Sequence, residues 1–372
     1  MKRTLLTFLI MTSTMVLIFA AVDQKTVEYW QKTMKYGVSG QRQAVLKSIE
    51  DNKATEAYSL IQDALLQDPN PDIRGNAAYS LIKLKSGDDS LWLKSIGTET
   101  NSDVLRKVVF AISELKIKTA GPKLYEKLTN IIDNPKETQL SAVIVRSLGG
   151  IGYQASGDYI LSVLSNIETS AEIRGAAAIA LGDIGSSKYI PALKSLLENV
   201  GELKEVRMYS AFAIGKTGDK QAIGILSPYI ENEIEDINVR LYSIAGFGYL
   251  KDPTVIQKLI SFLKTDNVRV RLEAVKALGN LKDSSAVEIL TYKALYDPEL
   301  AVKREAKKAL QDMGIDVENL GKTSTTNTIT TNNAANTTNI TNKQKDTQKS
   351  SSSVSAGMTN RNTLNQNSKP GK

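Results

Sequence analysis

Apolar side chains recur along residues 72–310 at the spacing of one face of an α-helix, in a phrase that returns every 31 to 34 residues. The clearest copy begins at Glu172-Ile173-Arg174 and continues through residue 185. With Arg174 counted as position zero, positions 3, 4, 7, 10 and 11 fall in one stripe at 100° per residue. The pattern predicts an amphipathic helix in every copy, and no β alternation competes with it.

The position of Arg174 has a counterpart in each copy of the phrase. Successive gaps are 33, 34, 33, 33, 33, 31 and 32 residues. A second apolar stretch precedes each copy, and Pro191 suits the first turn of such a stretch because a proline there loses no helical hydrogen bond. Each unit is therefore predicted to be two short helices joined by a polar turn, and a fixed period of this length predicts an all-α solenoid. The residues at position zero are Arg74, Lys107, Ser141, Arg174, Arg207, Arg240, Arg271 and Lys303.

The repeated phrase resembles the HEAT repeat, specifically the short HEAT-like type of the phycobilisome lyases. The ankyrin phrase Thr-Pro-Leu-His and the tetratricopeptide Trp-Leu-Gly-Tyr pattern are both absent. The resemblance covers roughly residues 23–318, with departures at Ser141, Lys107 and Lys303 and a degenerate first unit over residues 23–52. It implies a right-handed α-α superhelix of about nine two-helix repeats. The matching residues are 72–74, 172–174, 205–207 and 238–240, followed by Ala-Leu-Gly at 180–182 and 277–279.

The resemblance also implies a structural role for the acidic residue and the arginine of each turn, which commonly bond to neighbouring repeats in HEAT-like arrays. The alternative is a row of arginines that binds an anionic ligand. The structural role fits better, because position zero lies beside the core stripe. The residues concerned are Asp72, Arg74, Glu172, Arg174, Glu205, Arg207, Arg240 and Arg271.

Composition divides the chain into residues 1–21, 22–320 and 321–372. Lys2 and Arg3 followed by an apolar run to Phe19 are typical of a secretory signal peptide. We therefore expect export to the bacterial periplasm or cell envelope, with an uncleaved inner-membrane anchor as the alternative. The last 52 residues contain 12 Thr, 10 Asn and 7 Ser and hardly any large apolar side chains, which predicts a disordered tail.

The chain contains no Cys and no His. A Ser-His-Asp or Cys-His relay, a thiolate or imidazole zinc site and a His-ligated haem are therefore excluded. The metal-dependent HEAT hydroxylases rely on His-Glu pairs, so their chemistry is excluded as well. Carboxylates remain available for a cation, but the densest acidic run, residues 231–236, is better interpreted as a solvated loop. We expect no enzyme activity, cofactor or metal.

A net charge of +7 suggests nucleic-acid binding, but the distribution of the charges along the chain does not. Removing the two basic residues of the first segment, and the seven basic and one acidic residue of the last, leaves 38 basic and 39 acidic residues. Nucleic-acid binding depends on a basic face, and no repeated lysine stripe is present. We therefore expect no nucleic-acid partner.

Positions 2 and 5 of each second helix lie opposite the core stripe, on the side that lines the concave groove in HEAT-like solenoids. An apolar, tyrosine-rich surface with a polar border is typical of a site for a protein partner. The alternative is that curvature closes the groove and the side chains pack between neighbouring helices. The predicted partner-binding patch consists of Tyr209, Phe212, Tyr242, Tyr249, Arg146 and Ile179. The groove positions are Asn76, Tyr79, Val109, Ile112, Val143, Arg146, Ala176, Ile179, Tyr209, Phe212, Tyr242, Ala245, Glu273, Lys276, Glu305 and Lys308.

These features predict a non-enzymatic scaffold or adaptor that binds another protein or peptide. One alternative is a prosthetic-group lyase or isomerase of the phycobilin-lyase type, which rests on the resemblance alone. Another is an envelope structural component held by an uncleaved N-terminal anchor, and membrane contact is expected only in that case. The sequence leaves the partner and the oligomeric state open.

Overall fold

A computed structural model of the protein describes residues 22–318, which form eighteen α-helices in nine consecutive pairs. The first helices of the pairs are α1 (Gln24–Tyr36), α3 (Tyr58–Gln67), α5 (Asp89–Thr98), α7 (Gly121–Ile131), α9 (Gly157–Ser165), α11 (Ile190–Glu198), α13 (Gln221–Glu231), α15 (Pro253–Phe262) and α17 (Val287–Tyr296). The second helices are α2 (Ser39–Asn52), α4 (Pro71–Leu84), α6 (Ser102–Glu114), α8 (Thr138–Gly150), α10 (Ala171–Ile184), α12 (Lys204–Lys216), α14 (Ile237–Phe247), α16 (Val268–Leu281) and α18 (Leu300–Asp312).

The predicted all-α solenoid of about nine repeats is confirmed. Short 3-10 helices at Thr55–Ala57, Lys118–Ala120, Pro135–Glu137, Gln154–Ser156, Ser187–Tyr189 and Ser284–Ala286 complete the regular structure. Within residues 22–318, no helix combines the length and apolarity needed to cross a membrane. The signal-peptide prediction for residues 1–21 and the disordered-tail prediction for residues 321–372 lie outside the described residues.

Local sequence signals set the helix ends. Pro191, Pro122 and Pro253 each lie in the first turn of a first helix, as the sequence predicts for Pro191. Gly185, by contrast, ends α10 in a left-handed conformation with φ of +73°. Position 11 of the phrase therefore terminates the helix and does not extend the core stripe, because a residue without a Cβ adopts this conformation at no steric cost.

Small residues bring successive second helices close together. A Cβ added at Gly149 would lie 2.5 Å from Ala180 Cα, and one added at Gly182 would lie 2.8 Å from Ala213 Cα. Successive second helices therefore pack backbone to backbone, whereas successive first helices contact each other more sparsely. The closer spacing on one side curves the stack of repeats, so that the second helices line its concave side.

An arginine in the first turn of most second helices links one repeat to the next. Arg174 donates from Nε to the Leu164 carbonyl of its own repeat at 2.9 Å, and from both Nη atoms to Glu202 of the next repeat at 2.8 and 2.6 Å. Within residues 22–318, Arg240 makes the bond to its own repeat, from Nε to the Ile230 carbonyl at 2.8 Å, but forms no ion pair with the next repeat. The equivalent ion pairs are Arg42–Asp68 (2.7 Å), Arg74–Glu99 (2.6 Å), Arg207–Glu235 (3.0 Å) and Arg271–Asp297 (3.2 Å).

The acidic partners in these pairs differ from the ones that the resemblance implies. Asp72, Glu172 and Glu205 lie two residues before their arginines, are exposed, and form no ion pair within residues 22–318. Their place in the first helical turn puts their charge beside the positive end of the helix dipole. The arginine side chain points the other way, towards the core, where it meets the carboxylate from the next repeat's turn.

In the third repeat, the sequence prediction placed position zero two residues too late. Helix α6 begins at Ser102 and is capped by Asn101, whose side chain accepts from the amides of Asp103 and Val104. The fourth residue of α6, equivalent to Arg74 in α4, is therefore the buried Leu105 and not Lys107. The offset was hidden because Leu105 lies 31 residues after Arg74 and 36 residues before Ser141, and the average of these two intervals is close to the repeat period.

Candidate protein-binding groove

The corrected register changes which residues of α6 face the groove. Val109 and Ile112, predicted as groove positions, are completely buried and belong to the core. The groove positions of this repeat are Lys107 and Phe110, and Phe110 retains 44% exposure. With this correction, Lys107 and Phe110 become part of the groove surface.

The four predicted aromatic residues of the patch form one contiguous cluster, which we call the central cluster (Tyr209, Phe212, Tyr242 and Tyr249). The rings of Tyr209 and Tyr242 meet edge to face across adjacent repeats, with centroids 5.4 Å apart. Phe212 contacts Tyr242 at 6.0 Å and Tyr249 at 5.5 Å, also edge to face. The cluster therefore runs continuously over α12, α14 and the turn after α14.

The central cluster is neither fully open nor fully closed. Tyr209, Phe212 and Tyr242 are half-buried, and Tyr249 is 37% exposed. Part of this burial comes from neighbouring repeats, because Tyr209 lies over Gly175, where an added Cβ would be 2.8 Å from the ring. The rings therefore pack across repeats and remain partly exposed in the groove.

A lysine lies over the open side of the central cluster. Lys216 Nζ is 5.6 Å from the ring centroid of Phe212 and 5.7 Å from that of Tyr249, and it also pairs with Asp183. A cation over an aromatic face is attracted by the negative face of the ring. Burial raises the pKa of Tyr242, with further contributions from Tyr209 and Glu273.

Arg146 and Ile179, the other two predicted patch residues, lie along the groove on the N-terminal side of the central cluster. Arg146 and Tyr209 line one hollow of about 290 Å³ together with Glu172 and Glu205. Arg146 and Ile179 line a second hollow, of about 430 Å³, which also reaches Lys216. Arg146 is exposed, and Val143 lines both hollows beside it, so the two hollows combine apolar surface with a guanidinium and other charged side chains.

A third hollow, of about 440 Å³, lies on the C-terminal side of the central cluster. Phe212 and Tyr242 form its apolar wall, and Arg269, Glu273 and Lys276 form its polar wall. Glu273 and Lys276 pair at 3.1 Å. The predicted change from an aromatic to a charged groove surface therefore falls between α14 and α16.

The groove holds a further aromatic cluster, which the sequence prediction missed. Tyr79 and Phe110 meet edge to face with centroids 6.3 Å apart, and Lys107 Nζ lies 5.7 Å from the Tyr79 ring centroid. We call Tyr79, Phe110 and Lys107 the N-terminal cluster. It could have been found from the cap residue Asn101, which places the start of α6 two residues earlier than the repeat period suggests.

No group of three or more His, Cys, Asp or Glu side chains within residues 22–318 is arranged to hold a metal ion. What the groove offers is aromatic and aliphatic surface with a few separated charges. That combination suits a protein surface, where apolar burial supplies affinity and the charges fix orientation.

Nine stacked helix pairs with a shared core and a concave face of second helices define an α-solenoid of helical repeats. The repeats match the family model of HEAT repeats over residues 125–203 and 233–311. These two stretches are therefore similar to HEAT repeats. No curated protein matches its sequence significantly.

Several solved structures are similar to the chain. Human deoxyhypusine hydroxylase in complex with glycerol is 17% identical over 72% of this chain and 99% of that one, with a TM-score of 0.33. The complex of CpcE and CpcF of phycocyanin lyase from Nostoc is 20% identical, over 63% of this chain and 91% of that one, with a TM-score of 0.45. Kap121p bound to Nup53p is 12% identical, over 80% of this chain and 38% of that one, with a TM-score of 0.43. At these identities the likeness concerns the fold alone.

Proposed function

We propose that this protein is a non-enzymatic scaffold that binds another protein or peptide through the concave groove of its solenoid. The observation that carries the proposal is the central cluster, four aromatic side chains in edge-to-face contact that keep an exposed side in the groove. Tyrosine and arginine are the side chains that most often dominate binding energy in protein interfaces.

The N-terminal cluster and Arg146 extend the same argument along the groove. Both aromatic clusters carry a lysine over a ring, Lys107 in one and Lys216 in the other. Val143, Arg146 and Ile179 line the surface between them. A partner that follows the groove would therefore meet apolar surface punctuated by cations, and we expect it to present apolar side chains together with carboxylates.

We further propose that the scaffold acts in the bacterial periplasm or cell envelope. This part rests on the sequence of residues 1–21, with its basic start and apolar run. Fractionation of cells that express the full chain would test it, with the N-terminal residue of the purified protein showing whether the segment is cleaved. Recovery of the uncleaved chain in the cytoplasmic fraction would refute export.

The groove is tested by placing a photo-crosslinking amino acid at Tyr249 in cells that express the full chain. The matched control carries the same amino acid at Tyr292, an exposed tyrosine on the first helix α17. We expect a discrete polypeptide adduct from position 249 that is absent from position 292. Identical adduct patterns from the two positions, or none from either, would contradict the proposed groove.

The double variant Tyr209→Asp and Tyr242→Asp separates binding from folding. Two carboxylates placed in the half-buried central cluster should abolish the adduct from position 249, while the helical circular dichroism persists. Because both rings also pack across repeats, the single variant Phe110→Ser in the N-terminal cluster provides a second test at a more exposed ring. An adduct that survives both changes unaltered would remove the aromatic clusters from the binding site.

A further inference from the structure

One edge of the solenoid carries a row of exposed aliphatic side chains that is separate from the groove. Ile167, Val200 and Ile234 are 77%, 87% and 94% exposed. Each lies in the turn between the first and second helix of its pair, in the fifth, sixth and seventh repeats respectively. Isolated exposed aliphatic residues are common, but three at corresponding turns of consecutive repeats form a contiguous feature.

The three turns share one backbone arrangement. Each begins with an asparagine, Asn166, Asn199 or Asn232, whose side-chain oxygen accepts the amide two residues later at 3.0, 3.0 and 3.1 Å. The asparagine carbonyl then accepts the amide three residues later at 3.2, 3.0 and 3.3 Å. Such turns hold their central residues in place, so the aliphatic side chains need little ordering when a partner binds.

Carboxylates flank the aliphatic row. Glu168 and Glu233 lie in the same turns as Ile167 and Ile234, are exposed, and form no ion pair within residues 22–318. Lys204, a basic side chain at the start of α12, is neutralised by Asp236 at 3.1 Å. The edge therefore presents apolar side chains in a negative field, which attracts a cationic partner and repels an anionic membrane surface.

The row ends at the neighbouring turns on both sides. The corresponding turn of the fourth repeat carries Asp133 and Lys136, that of the eighth repeat carries Lys264 and Asp266, and neither contains an exposed large apolar side chain. The apolar and acidic surface is thus limited to three repeats. It has a defined length as well as a defined charge.

The distance between successive turns of the row matches the length of two turns of an α-helix in a partner. Packed helices lie about 8–10 Å apart, so corresponding turns of adjacent repeats are separated by about 10 Å. Seven residues of an α-helix rise about 10.5 Å. We propose that this edge, which we call the aliphatic edge (Ile167, Val200, Ile234 and their flanking glutamates), docks a basic amphipathic helix whose apolar side chains recur every seven residues.

The proposal is tested on the full-length protein with synthetic peptides of about 20 residues, long enough to span three contacts. The probe is a fluorescein-labelled helical peptide with leucine every seven residues and lysine on both flanks of that stripe. We expect binding by fluorescence anisotropy, weakened by added salt because the flanking charges are exposed. The triple variant Ile167→Ser, Val200→Ser, Ile234→Ser should weaken binding by about tenfold or more.

Two controls make the result specific to the aliphatic edge. The variant Val38→Ser removes an aliphatic residue that is 69% exposed in the first repeat, and it should leave binding unchanged. The second control is a peptide of identical composition with leucine every five residues, which should bind at least about tenfold more weakly because its apolar positions miss the turns.

Several outcomes would overturn the proposal. These are no binding of the heptad peptide, equal binding by the triple variant, equal binding of the peptide with glutamate in place of lysine, and capture of the protein by phosphatidylglycerol vesicles in place of the peptide. Because the substitutions lie outside the groove, the photo-crosslink from position 249 should persist in the triple variant. Failure of the aliphatic edge is therefore distinguishable from failure of the groove.

Discussion

Arg174 and Glu202 form a buried bidentate ion pair across the boundary between the fifth and sixth repeats, with N–O distances of 2.8 and 2.6 Å. The same carboxylate also accepts the amide of Leu203 at 2.8 Å. One arginine thus ties the end of its own first helix to the turn of the next repeat. Since Arg174 is buried and its guanidinium is paired within the solenoid, this arginine presents no free charge to an anionic ligand.

Removal of the arginine should be strongly destabilising. Arg174→Met leaves the Glu202 carboxylate buried without its cation, and breaking a buried pair in this way costs about 3–5 kcal/mol. We expect a lower urea midpoint and faster hydrogen exchange in α10 and α12. The matched control is Glu137→Gln in the fourth repeat, where Leu105 stands in place of the arginine and the side chain accepts only from Ser102. That change should cost about 1 kcal/mol or less, and equal losses in the two variants would contradict the role of Arg174.

Stability should fall in acid through the same carboxylate. The hydrogen bonds from Arg174 lower the pKa of Glu202, against an opposing effect of burial. A lowered folded-state pKa means that the stabilisation is fully present above the unfolded value of about 4.3. It is lost as the pH falls through the lower folded value. We expect Glu202→Gln to reduce stability at pH 7 and to flatten its dependence on pH below about 4; parallel acid-unfolding curves for the variant and the native protein would refute this.

The sequence predicted the fold well because the fold depends on periodic features. Ala177, Ala178 and Leu181 are buried as the helical stripe requires, and the close helix contact at Gly182 follows from its small size. The ion pairs were predicted only in part. An arginine at a fixed position is visible in the sequence, but Glu202 lies 28 residues away, and only the packing of one repeat on the next brings the two together.

The groove was harder to predict, because it depends on register within each repeat. A shift of two residues moved Val109 from the predicted groove to the core and concealed Phe110. Where the register was right, as at Tyr209 and Tyr242, the predicted groove residues are partly exposed and their rings are in contact. The first repeat shows the same limit: Arg42 pairs with Asp68 as the other arginines do, although its surroundings had diverged too far to be recognised.

The corrected register of α6 makes a direct prediction about two adjacent residues. Val109→Ser should cost about 2 kcal/mol, because the valine is completely buried and its replacement leaves a cavity and a hydroxyl in the core. Phe110→Ser should cost about 1 kcal/mol or less, because the ring is partly exposed and loses mainly its contact with Tyr79. Urea unfolding of the two variants measures the difference. The reverse order of stability would restore the register in which Lys107 occupies position zero.

Two glycines in helices should respond in opposite directions to the same substitution. At Gly182 in α10, a Cβ would lie 2.8 Å from Ala213 Cα and 3.1 Å from its carbonyl oxygen, so the backbones of α10 and α12 would have to separate. We expect Gly182→Ala to destabilise the protein by about 1–3 kcal/mol, the usual cost of overpacking. At Gly224 in α13, an added Cβ meets nothing within 4 Å. Gly224→Ala should therefore stabilise the protein by about 0.5–1 kcal/mol, because alanine loses less backbone entropy in a helix. Thermal unfolding of both variants provides the measurement, and a stabilising effect at Gly182 would mean that the second helices are not held together at the backbone contact on which the curvature of the groove depends.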